Sequence, residues 1–310
     1  MIIVTGTIAY DYIMDFPGKF AEHILPEEIH KINLSFIVSK FAKRRGGTAG
    51  NVSYSLGLLS IPHILFSVVG KDFIEYQKEF RKLGIDLSNV KIDKHEYTST
   101  GFAMTDRNDN QIWGYFYGAS EAIKDLKLET VAKKKDLVLV GPAGAKGSMS
   151  LVNQCVALGV SYVFDPGFIL TEVSNQDLAV GARNAQIIIG NDYEIALIKE
   201  RVQDWQEFFP RKTVITTLGE KGALIDDKGK IYDVEAVRPQ KMVDPTGAGD
   251  AWRAGFLAGL AKGFDLQVCG QMGSVVSAYT IEHYGTQEHI FTKEEFTERY
   301  RQKYNALLKL

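Results

Sequence analysis

The chain is poor in cysteine, which excludes two kinds of stabilising site. Its 310 residues include only Cys155 and Cys269, each within an apolar stretch and far from the other. A disulfide framework or a thiolate zinc site needs several cysteines at short spacings. We therefore expect both thiols to be buried as small hydrophobic groups, in a chain suited to a reducing compartment.

The sequence also lacks an excess of charge and a long apolar run. It has 36 Lys and Arg against 38 Asp and Glu, so no basic field points to nucleic acid or to an anionic membrane. No run approaches the roughly 20 apolar residues of a membrane helix. The opening "MIIVTGTIAYDYIMDF" carries an early Asp11 and no basic leader. We expect a cytoplasmic protein with small-molecule partners, no nucleic acid and no membrane.

Two common nucleotide-binding loops are absent from the sequence. No G-x-x-x-x-G-K-[ST] occurs, which excludes a P-loop kinase. No G-x-G-x-x-G with a downstream ribose-binding acid occurs either, which argues against a nicotinamide-dependent oxidoreductase. The stretch "GPAGAKG" at 141–147 has the spacing G-x-x-G-x-x-G, and we interpret it as a turn.

Apolar strand patterns alternate with helical patterns along most of the chain. This alternation predicts an α/β fold with a mostly parallel sheet and helices on both faces. The predicted strands are 2–6, 63–70, 136–141, 160–166, 185–191 and 212–219, with a hairpin at 222–234. The predicted helices are 46–60, 72–84, 148–158, 174–183 and 192–201, with three more from 249, 265 and 293.

Two β-rich stretches, at about 12–45 and 98–117, interrupt this rhythm. The second has two β-rich runs on either side of the polar "RNDN", which predicts a hairpin. The first is irregular, with one strand predicted near "KINLSFIVS" (31–39), and ends in the basic "KRR" (43–45), which we interpret as a solvated run. We expect both stretches to form a small lid sheet over the ligand crevice of one domain spanning 1–310.

One short motif combines an anion cradle with a lone carboxylate. Gly247, Ala248 and Gly249 precede Asp250, and an apolar helix follows. A helix N-terminus offers unpaired N–H groups, and glycines let an anion approach them closely. Asp250 could then accept a proton from a hydroxyl that attacks a bound phosphate. Taken alone, the motif also fits a glycine turn before an N-terminal helix carboxylate.

Several segments together resemble the ribokinase-like (PfkB-type) sugar and nucleoside kinases. "DPTGAGDAWRAGFLAG" resembles their C-terminal signature, "RRGGTAGNVSYSLGLLS" their N-terminal signature and "GNDYE" their Asn-x-x-Glu motif. "GTIAYDYIMDFPGKFAEHILPEEIHKINLSF" and "YGTQE" look like bacterial adenosine kinases of the mycobacterial type. The resemblance covers essentially the whole chain. It implies a three-layer α/β/α fold with a β-sheet lid, and ATP-dependent phosphorylation of adenosine to AMP in purine salvage.

The resemblance assigns roles at the acceptor site. It makes Asp250 the catalytic base and the backbone of Gly247, Ala248 and Gly249 the anion hole. The residues that it places around the substrate are Thr7, Asp11, Ser35, Gly47, Asn51, Phe102 and Phe116. Phe102 and Phe116 match aromatic rings that stack on the purine, although lid-core packing would also explain them.

On the donor side, the resemblance places Asn191 and Glu194 near the Mg²⁺–ATP phosphates, with Glu194 acting through metal-bound water. The same spacing also produces a helix capping box. Thr217 and Gly219 would line the ATP phosphates.

The resemblance also implies a monovalent cation, K⁺, and a homodimer. Asp244 and Thr246 match the family's cation-binding positions, and Gly285 lies in the matching C-terminal loop. The family's habit of dimerising through the lid sheet implies the same for this chain.

One departure bears on the substrate. Phe168 and Ile169 stand where the mycobacterial-type enzymes have glutamines close to the nucleoside. A free sugar such as ribose or fructose is therefore an alternative acceptor. Outside the enzymes, the alternative is a non-catalytic nucleotide-binding sensor; the intact Asp250 argues against it because binding alone needs no base.

Overall fold

The computed structural model describes residues 1–24, 33–108 and 110–310, which form two sheets flanked by helices. The strands are β1 (Ile2–Thr5), β2 (Ala9–Asp15), β3 (Lys40–Gly46), β4 (His63–Val69), β5 (Val90–Ile92), β6 (Ser99–Thr105), β7 (Gln111–Phe116), β8 (Leu137–Val140), β9 (Ser161–Phe164), β10 (Ile187–Asn191), β11 (Thr213–Thr217), β12 (Ala223–Asp227) and β13 (Lys230–Val234). The helices are α1 (Thr48–Leu58), α2 (Ile74–Lys82), α3 (Gly144–Leu158), α4 (Asn175–Asn184), α5 (Asp192–Arg201), α6 (Trp205–Phe208), α7 (Ala248–Lys262), α8 (Leu266–Ile281) and α9 (Lys293–Tyr304).

The larger sheet has the strand order β13-β12-β11-β10-β9-β8-β1-β4-β5. From β11 to β5 neighbouring strands are parallel, while β12 and β13 form an antiparallel hairpin at one edge. Its central strands, β10, β9, β8, β1 and β4, are nearly continuous apolar runs because both faces are covered. Ile2 and Val4 of β1 pack with α1, α2, α7, α8 and α9, whereas Ile3 packs with α3 to α6. This confirms the predicted three-layer α/β architecture.

The second sheet, here called the lid sheet, consists of β3, β2, β6 and β7 in that order. β2 runs parallel to β6 and antiparallel to β3, and β6 and β7 form the predicted hairpin. Asp11 therefore lies beside Arg44 on one side and Gly101 on the other, and Gly101 pairs with Tyr115. Because side chains alternate along a strand, these residues share one face of the lid sheet.

Close packing of α7 against α8 fixes the position of the glycine turn before α7. A Cβ on Gly255 would lie 2.5 Å from the carbonyl oxygen of Met272, and one on Gly273 would lie 2.8 Å from the Trp252 ring. Only glycine allows the two backbones to approach this closely. The N-terminus of α7 is thus set rigidly against the core.

The structure corrects three predictions about local structure. The lid begins at Ala9 rather than 12, because β2 leaves the core within three residues of β1. The strand expected at 31–39 is wrong: residues 33–38 have no regular structure, and the strand is β3, which ladders along all of β2. Residues 31 and 32 lie outside the described residues. Helix α3 begins at Gly144, within the predicted turn, instead of at 148.

Both cysteines are fully buried, and burial raises the pKa of each thiol to about 12. This confirms that they serve as small hydrophobic groups. Within the described ranges, no helix has the length and apolar character needed to cross a membrane.

Candidate active site

A cavity of about 210 Å³ lies where the lid sheet meets the N-termini of α1 and α7. The lid contributes the side chains of one face, and the two helices contribute their first turns. Its walls are formed by Thr7, Ala9, Asp11, Gly47, Thr48, Asn51, Ser99, Thr100, Gly101, Trp113, Tyr115, Phe116, Tyr117, Phe168, Thr246, Gly247, Asp250 and Thr286. Six segments that are distant in sequence therefore meet around one small space: 7–11, 47–51, 99–117, 168, 246–250 and 286.

Asp250 is held in place by a buried hydrogen-bond network. Asn51 Nδ2 donates to Asp250 Oδ2 at 2.7 Å. Asn51 Oδ1 in turn accepts from Thr286 Oγ1 at 2.7 Å and from Gln287 Nε2 at 2.8 Å. With its amide oxygen occupied by two donors, Asn51 has to present its amino group to the carboxylate. The network thereby fixes the orientation of Asp250.

Burial makes Asp250 a stronger base than an ordinary aspartate. It raises the pKa of Asp250 to about 6, and the nearby Asp165 and Glu194 act in the same direction. Arg253 and the Asn51 hydrogen bond oppose this rise. A carboxyl with a pKa near 6 is ionised at neutral pH and accepts a proton more readily than an exposed aspartate.

The turn before α7 offers free amides beside this base. Gly247 has φ +78°, a left-handed conformation that glycine adopts without strain. Within the described residues, the amides of Gly247, Gly249 and Asp250 donate no hydrogen bond, whereas the Ala248 amide donates to the Pro245 carbonyl at 3.2 Å. Unpaired amides at a helix N-terminus form a site suited to a phosphate.

Asp11 faces Asp250 across the cavity. Burial raises the pKa of Asp11 to about 6, and the negative charge of Asp250 makes a smaller contribution in the same direction. Its carboxylate packs tightly on the next strand, since a Cβ on Gly46 would lie 2.1 Å from Asp11 Oδ2. A carboxylate in this position can accept hydrogen bonds from sugar hydroxyls. Thr7 and Gly47 complete the same wall.

The aromatic lining differs from the prediction. Phe116 borders the cavity, but Phe102 lies on the opposite face of the lid sheet, stacked on Tyr12 with ring centroids 5.4 Å apart. The reason is strand alternation: Phe102 follows Gly101, which faces inward.

The cavity is lined instead by three stacked rings. The Trp113 and Tyr115 centroids lie 5.4 Å apart with 7° between the planes. Those of Tyr115 and Phe168 lie 5.6 Å apart with 4° between the planes. Phe168, which the sequence marked as a departure, therefore belongs to this wall.

Ser35 is the other substrate-site residue that the structure does not bring to the cavity. It is exposed in the irregular segment that leads into β3. The neighbouring Phe36 anchors that segment by packing edge-on against Phe16 and Phe20.

The predicted donor-side residues meet at the ends of adjacent strands. Asn191 ends β10 and pairs in register with Thr217, which ends β11, and Gly219 follows two residues later. Asn191 and Glu194 form a capping box: Asn191 Oδ1 accepts from the Glu194 amide, and Glu194 Oε2 from the Asn191 amide, both at 2.8 Å.

Glu194 also carries features of a cation site. Burial and the nearby Asp165 raise its pKa, so a cation would stabilise its ionised form. Among the described residues, no three His, Cys, Asp or Glu side chains cluster as a complete metal site. Glu194 thus fits Mg²⁺ only when water and phosphate oxygens supply the other ligands, which is the usual coordination of this ion.

The three residues matched to a monovalent cation lie together. Asp244 Oδ1 accepts from the Thr246 amide at 2.9 Å, and Asp244 Oδ2 from the Gly285 amide at 3.0 Å. They border a second cavity of about 880 Å³ beneath the lid, which Arg44 and Arg45 also line. Of the "KRR" run, only Lys43 is exposed, whereas Arg44 and Arg45 are partly buried and Arg45 contacts Gln287 and Glu288, so the interpretation as a wholly solvated run is wrong.

Sequence reasoning missed several residues of the site. Thr286 and Gln287 belong to the "YGTQE" segment, which entered only as a resemblance, although they hold Asn51. Trp113 and Tyr115 could have been found from the alternation of "QIWGYF", which places them on one face. Asp165 and Arg253, a buried ion pair beside Asp250, gave no local signal because their pairing spans 88 residues.

Comparisons with known proteins agree with this geometry. The profile of the pfkB family of carbohydrate kinases matches residues 9–293. A nucleoside kinase of Methanothermobacter thermautotrophicus is 32% identical over 311 residues, covering 96% of this chain and 95% of the relative.

Solved structures give the same result. A nucleoside kinase of Burkholderia thailandensis in complex with inosine superposes with a TM-score of 0.89 at 31% identity, covering 99% of this chain and 98% of the other. The nucleoside kinase of Methanocaldococcus jannaschii superposes with a TM-score of 0.85 at 26% identity, covering 97% and 98%. The chain belongs to the PfkB family of carbohydrate kinases, with a ribokinase-like fold, and is an ATP-dependent phosphotransferase that acts on an alcohol group.

Proposed function

We propose that the protein phosphorylates the 5′-hydroxyl of a purine nucleoside, and that adenosine, giving AMP for purine salvage, is the first acceptor to test. The observation that carries this proposal is the stack of Trp113, Tyr115 and Phe168 in the same cavity as Asp11 and Asp250. A flat base gains free energy on aromatic faces, whereas a free sugar depends on hydrogen bonds. The inosine complex of the Burkholderia thailandensis relative supports a purine acceptor.

The arrangement suggests how the acceptor is bound and activated. Asp11 and the amide of Asn51 lie where the ribose hydroxyls would bind, with Thr7 and Gly47 beside them. Asp250 accepts the proton of the attacking hydroxyl, and the hydrogen bond from the buried Asn51 keeps the Asp250 carboxylate oriented. The amides of the turn before α7 stabilise the charge on the transferring phosphoryl group. The two sheets act as one kinase domain, and the lid excludes water.

The donor side in this proposal lies at the ends of β10 and β11. Asn191, Thr217 and Gly219 bind the ATP phosphates, and Glu194 holds Mg²⁺ through water. Mg²⁺ supplies charge neutralisation on the phosphate oxygens. Asp244, Thr246 and Gly285 form a monovalent cation loop next to the anion hole, so K⁺ is expected to stimulate turnover.

Turnover of Mg²⁺–ATP with adenosine, inosine, other nucleosides, ribose and fructose tests the acceptor class. We expect purine nucleosides to have the highest kcat/KM. Tyr115→Leu should raise the nucleoside KM about tenfold because one stacking face is lost, and should leave turnover of ribose unaffected.

Phe102→Leu is the matched control, since Phe102 lies on the outer face of the lid sheet. It should keep the wild-type nucleoside KM. Preference for a free sugar, or equal effects of the two substitutions, would reject the nucleoside assignment and leave a sugar kinase. No turnover with any acceptor would favour the non-catalytic sensor.

A further inference from the structure

A buried ion pair lies next to the proposed catalytic base. Arg253, three residues after Asp250 on α7, is only 8% exposed. Its Nη2 donates to Asp165 Oδ1 at 2.7 Å, and its Nε pairs with Asp165 Oδ2. Asp165 follows β9 and is itself fully buried. Burying two charges is costly and by itself gives little net stability, so this pair calls for another explanation.

The third nitrogen of the guanidinium points away from Asp165. A Cβ on Gly249 would lie 2.8 Å from Arg253 Nη1. Within the described residues, Nη1 donates no hydrogen bond, while Nε and Nη2 are both engaged by Asp165. Gly249 is one of the turn residues whose amide is also free. A charged donor and a backbone donor thus stand side by side at the N-terminus of α7.

Arg253 also acts electrostatically on one carboxyl of the proposed acceptor side and on one of the proposed donor side. It lowers the pKa of Asp250 and that of Glu194, while Asp165 raises both. Asp11 adds a further carboxyl across the cavity. The proposed site therefore contains four carboxyl groups, and the positive charge of Arg253 favours the ionised forms of two of them, Asp250 and Glu194.

We propose that Arg253 is a catalytic residue whose Nη1 donates to the phosphoryl group during transfer, while Asp165 holds the guanidinium in position. This inference rests on the proposed function. The acceptor oxygen forms a bond to the γ-phosphorus as the bond to the bridging oxygen of ADP breaks, and Asp250 takes the hydroxyl proton. Arg253 stays charged throughout, because a guanidinium does not give up its proton. It adds a fixed positive charge to the neutral amides of the turn.

Three variants separate this role from a structural one. Arg253→Gln removes the charge, and Arg253→Lys keeps it without the two-point grip on Asp165. Arg253→Gln combined with Asp165→Asn removes both charges, so that no unpaired carboxylate is left buried. We expect Arg253→Gln and the double variant to lose about 10²–10³-fold in kcat, as when an oxyanion donor is removed, and Arg253→Lys to lose less.

Two further measurements should change if Arg253 is catalytic but not if it only contributes to packing. The acid limb of kcat/KM should move to higher pH in Arg253→Gln, because the charge that favours ionised Asp250 is gone, and by less in the double variant, because loss of the Asp165 charge acts in the opposite direction. In calorimetry, ADP with fluoroaluminate and Mg²⁺ should bind wild type more tightly than ADP alone, and the variants should lose this gain but keep their ADP affinity. This binding test works whichever acceptor the enzyme uses, so it is independent of the acceptor panel.

Arg299→Gln is the matched control, since Arg299 forms a similarly buried ion pair with Glu282, away from the turn. It should lower stability but keep kcat. A double variant with wild-type kcat, an unmoved acid limb and a full fluoroaluminate gain would overturn the proposal and leave the pair structural. If Arg253→Gln does not fold, the kcat values and the fluoroaluminate binding of the double variant and of Arg253→Lys test the proposal instead.

Discussion

At the scale of single residues, Asp250 combines a functional position with a cost in stability. Burial raises the folded-state pKa of its carboxyl to about 6, and the negative charges of Asp165 and Glu194 act in the same direction. An aspartate in an unfolded chain has a pKa of about 3.9. Burial in this position is unfavourable for the ionised form, which is the form that a base requires.

Asp250→Asn should therefore stop turnover and stabilise the fold. We expect kcat to fall by about 10²–10⁴-fold while ATP affinity changes little. Because the folded state binds the extra proton between pH 4 and 6, wild-type stability rises as pH falls through that window. The variant should be more stable by about 1–3 kcal/mol at pH 7.5, and by much less at pH 4. Urea unfolding at the two pH values measures both differences.

Glu282→Gln provides the opposite case. Burial alone would raise the pKa of Glu282, but hydrogen bonds from Arg299 and the Gln240 amide lower it below its usual value. Its stabilising effect is present at neutral pH and is lost as pH falls through the folded pKa. Glu282→Gln, as the control, should lower stability at pH 7.5 and keep turnover.

Unchanged turnover in Asp250→Asn would show that Asp250 is not the catalytic base.

At the scale of elements, α7 has glycine in a left-handed conformation at both ends. Gly247 precedes it with φ +78°, and Gly263 follows it with φ +77°. The two positions have the same backbone conformation but different surroundings. A Cβ on Gly247 would lie 2.8 Å from Thr286, whereas one on Gly263 would contact nothing within 4 Å.

The two alanine substitutions should separate strain from function. Each costs about 1–2 kcal/mol for the left-handed conformation, so both should lower Tm. Only Gly247→Ala should also displace Thr286, loosen Asn51 and lower kcat by about 10–100-fold. Thermal melts and initial rates of the pair measure this. Equal kcat values in the two variants would show that the Thr286–Asn51 network does not depend on the turn.

At the scale of the whole molecule, the lid sheet has two unlike faces. One lines the cavities, and the other presents aromatic and aliphatic side chains where a solvated sheet is usually polar. Phe41 is 62% exposed, Ile112 47% and Phe102 46%. A contiguous apolar face of this kind marks an interaction surface. It supports the expectation of a homodimer formed through the lid.

Sedimentation should therefore give a particle of twice the 34.5 kDa chain mass. Phe41→Asp should shift it to the monomer, because an unpaired charge would be buried at the interface. Ile231→Asp, at an equally exposed residue of edge strand β13, is the control and should stay dimeric. A monomeric wild type would contradict the lid interface.

How far the sequence could predict the site depends on the distance over which each contact acts. Asp250 and its turn were predicted because one helix start holds both. The Asn191–Glu194 capping box followed from a spacing of three residues, whereas a place for this pair near the ATP phosphates came only from the resemblance. Phe102 was misplaced because a resemblance does not carry strand register, and a shift of one residue reverses the face. Arg253 was missed because its partner Asp165 lies 88 positions away.

The sequence by itself determined the α/β class, the helix start at Asp250 and the kinase family, because periodicity, capping and local motifs act over a few residues. Only the tertiary structure decided which rings line the cavity, that Thr286 and Gln287 bind Asn51, and that Arg253 pairs with Asp165 beside the turn before α7. Those contacts join β7, α1, α7 and the loop after α8. They exist only once the two sheets and their helices have packed, since packing rather than propensity fixes side-chain neighbours across the fold.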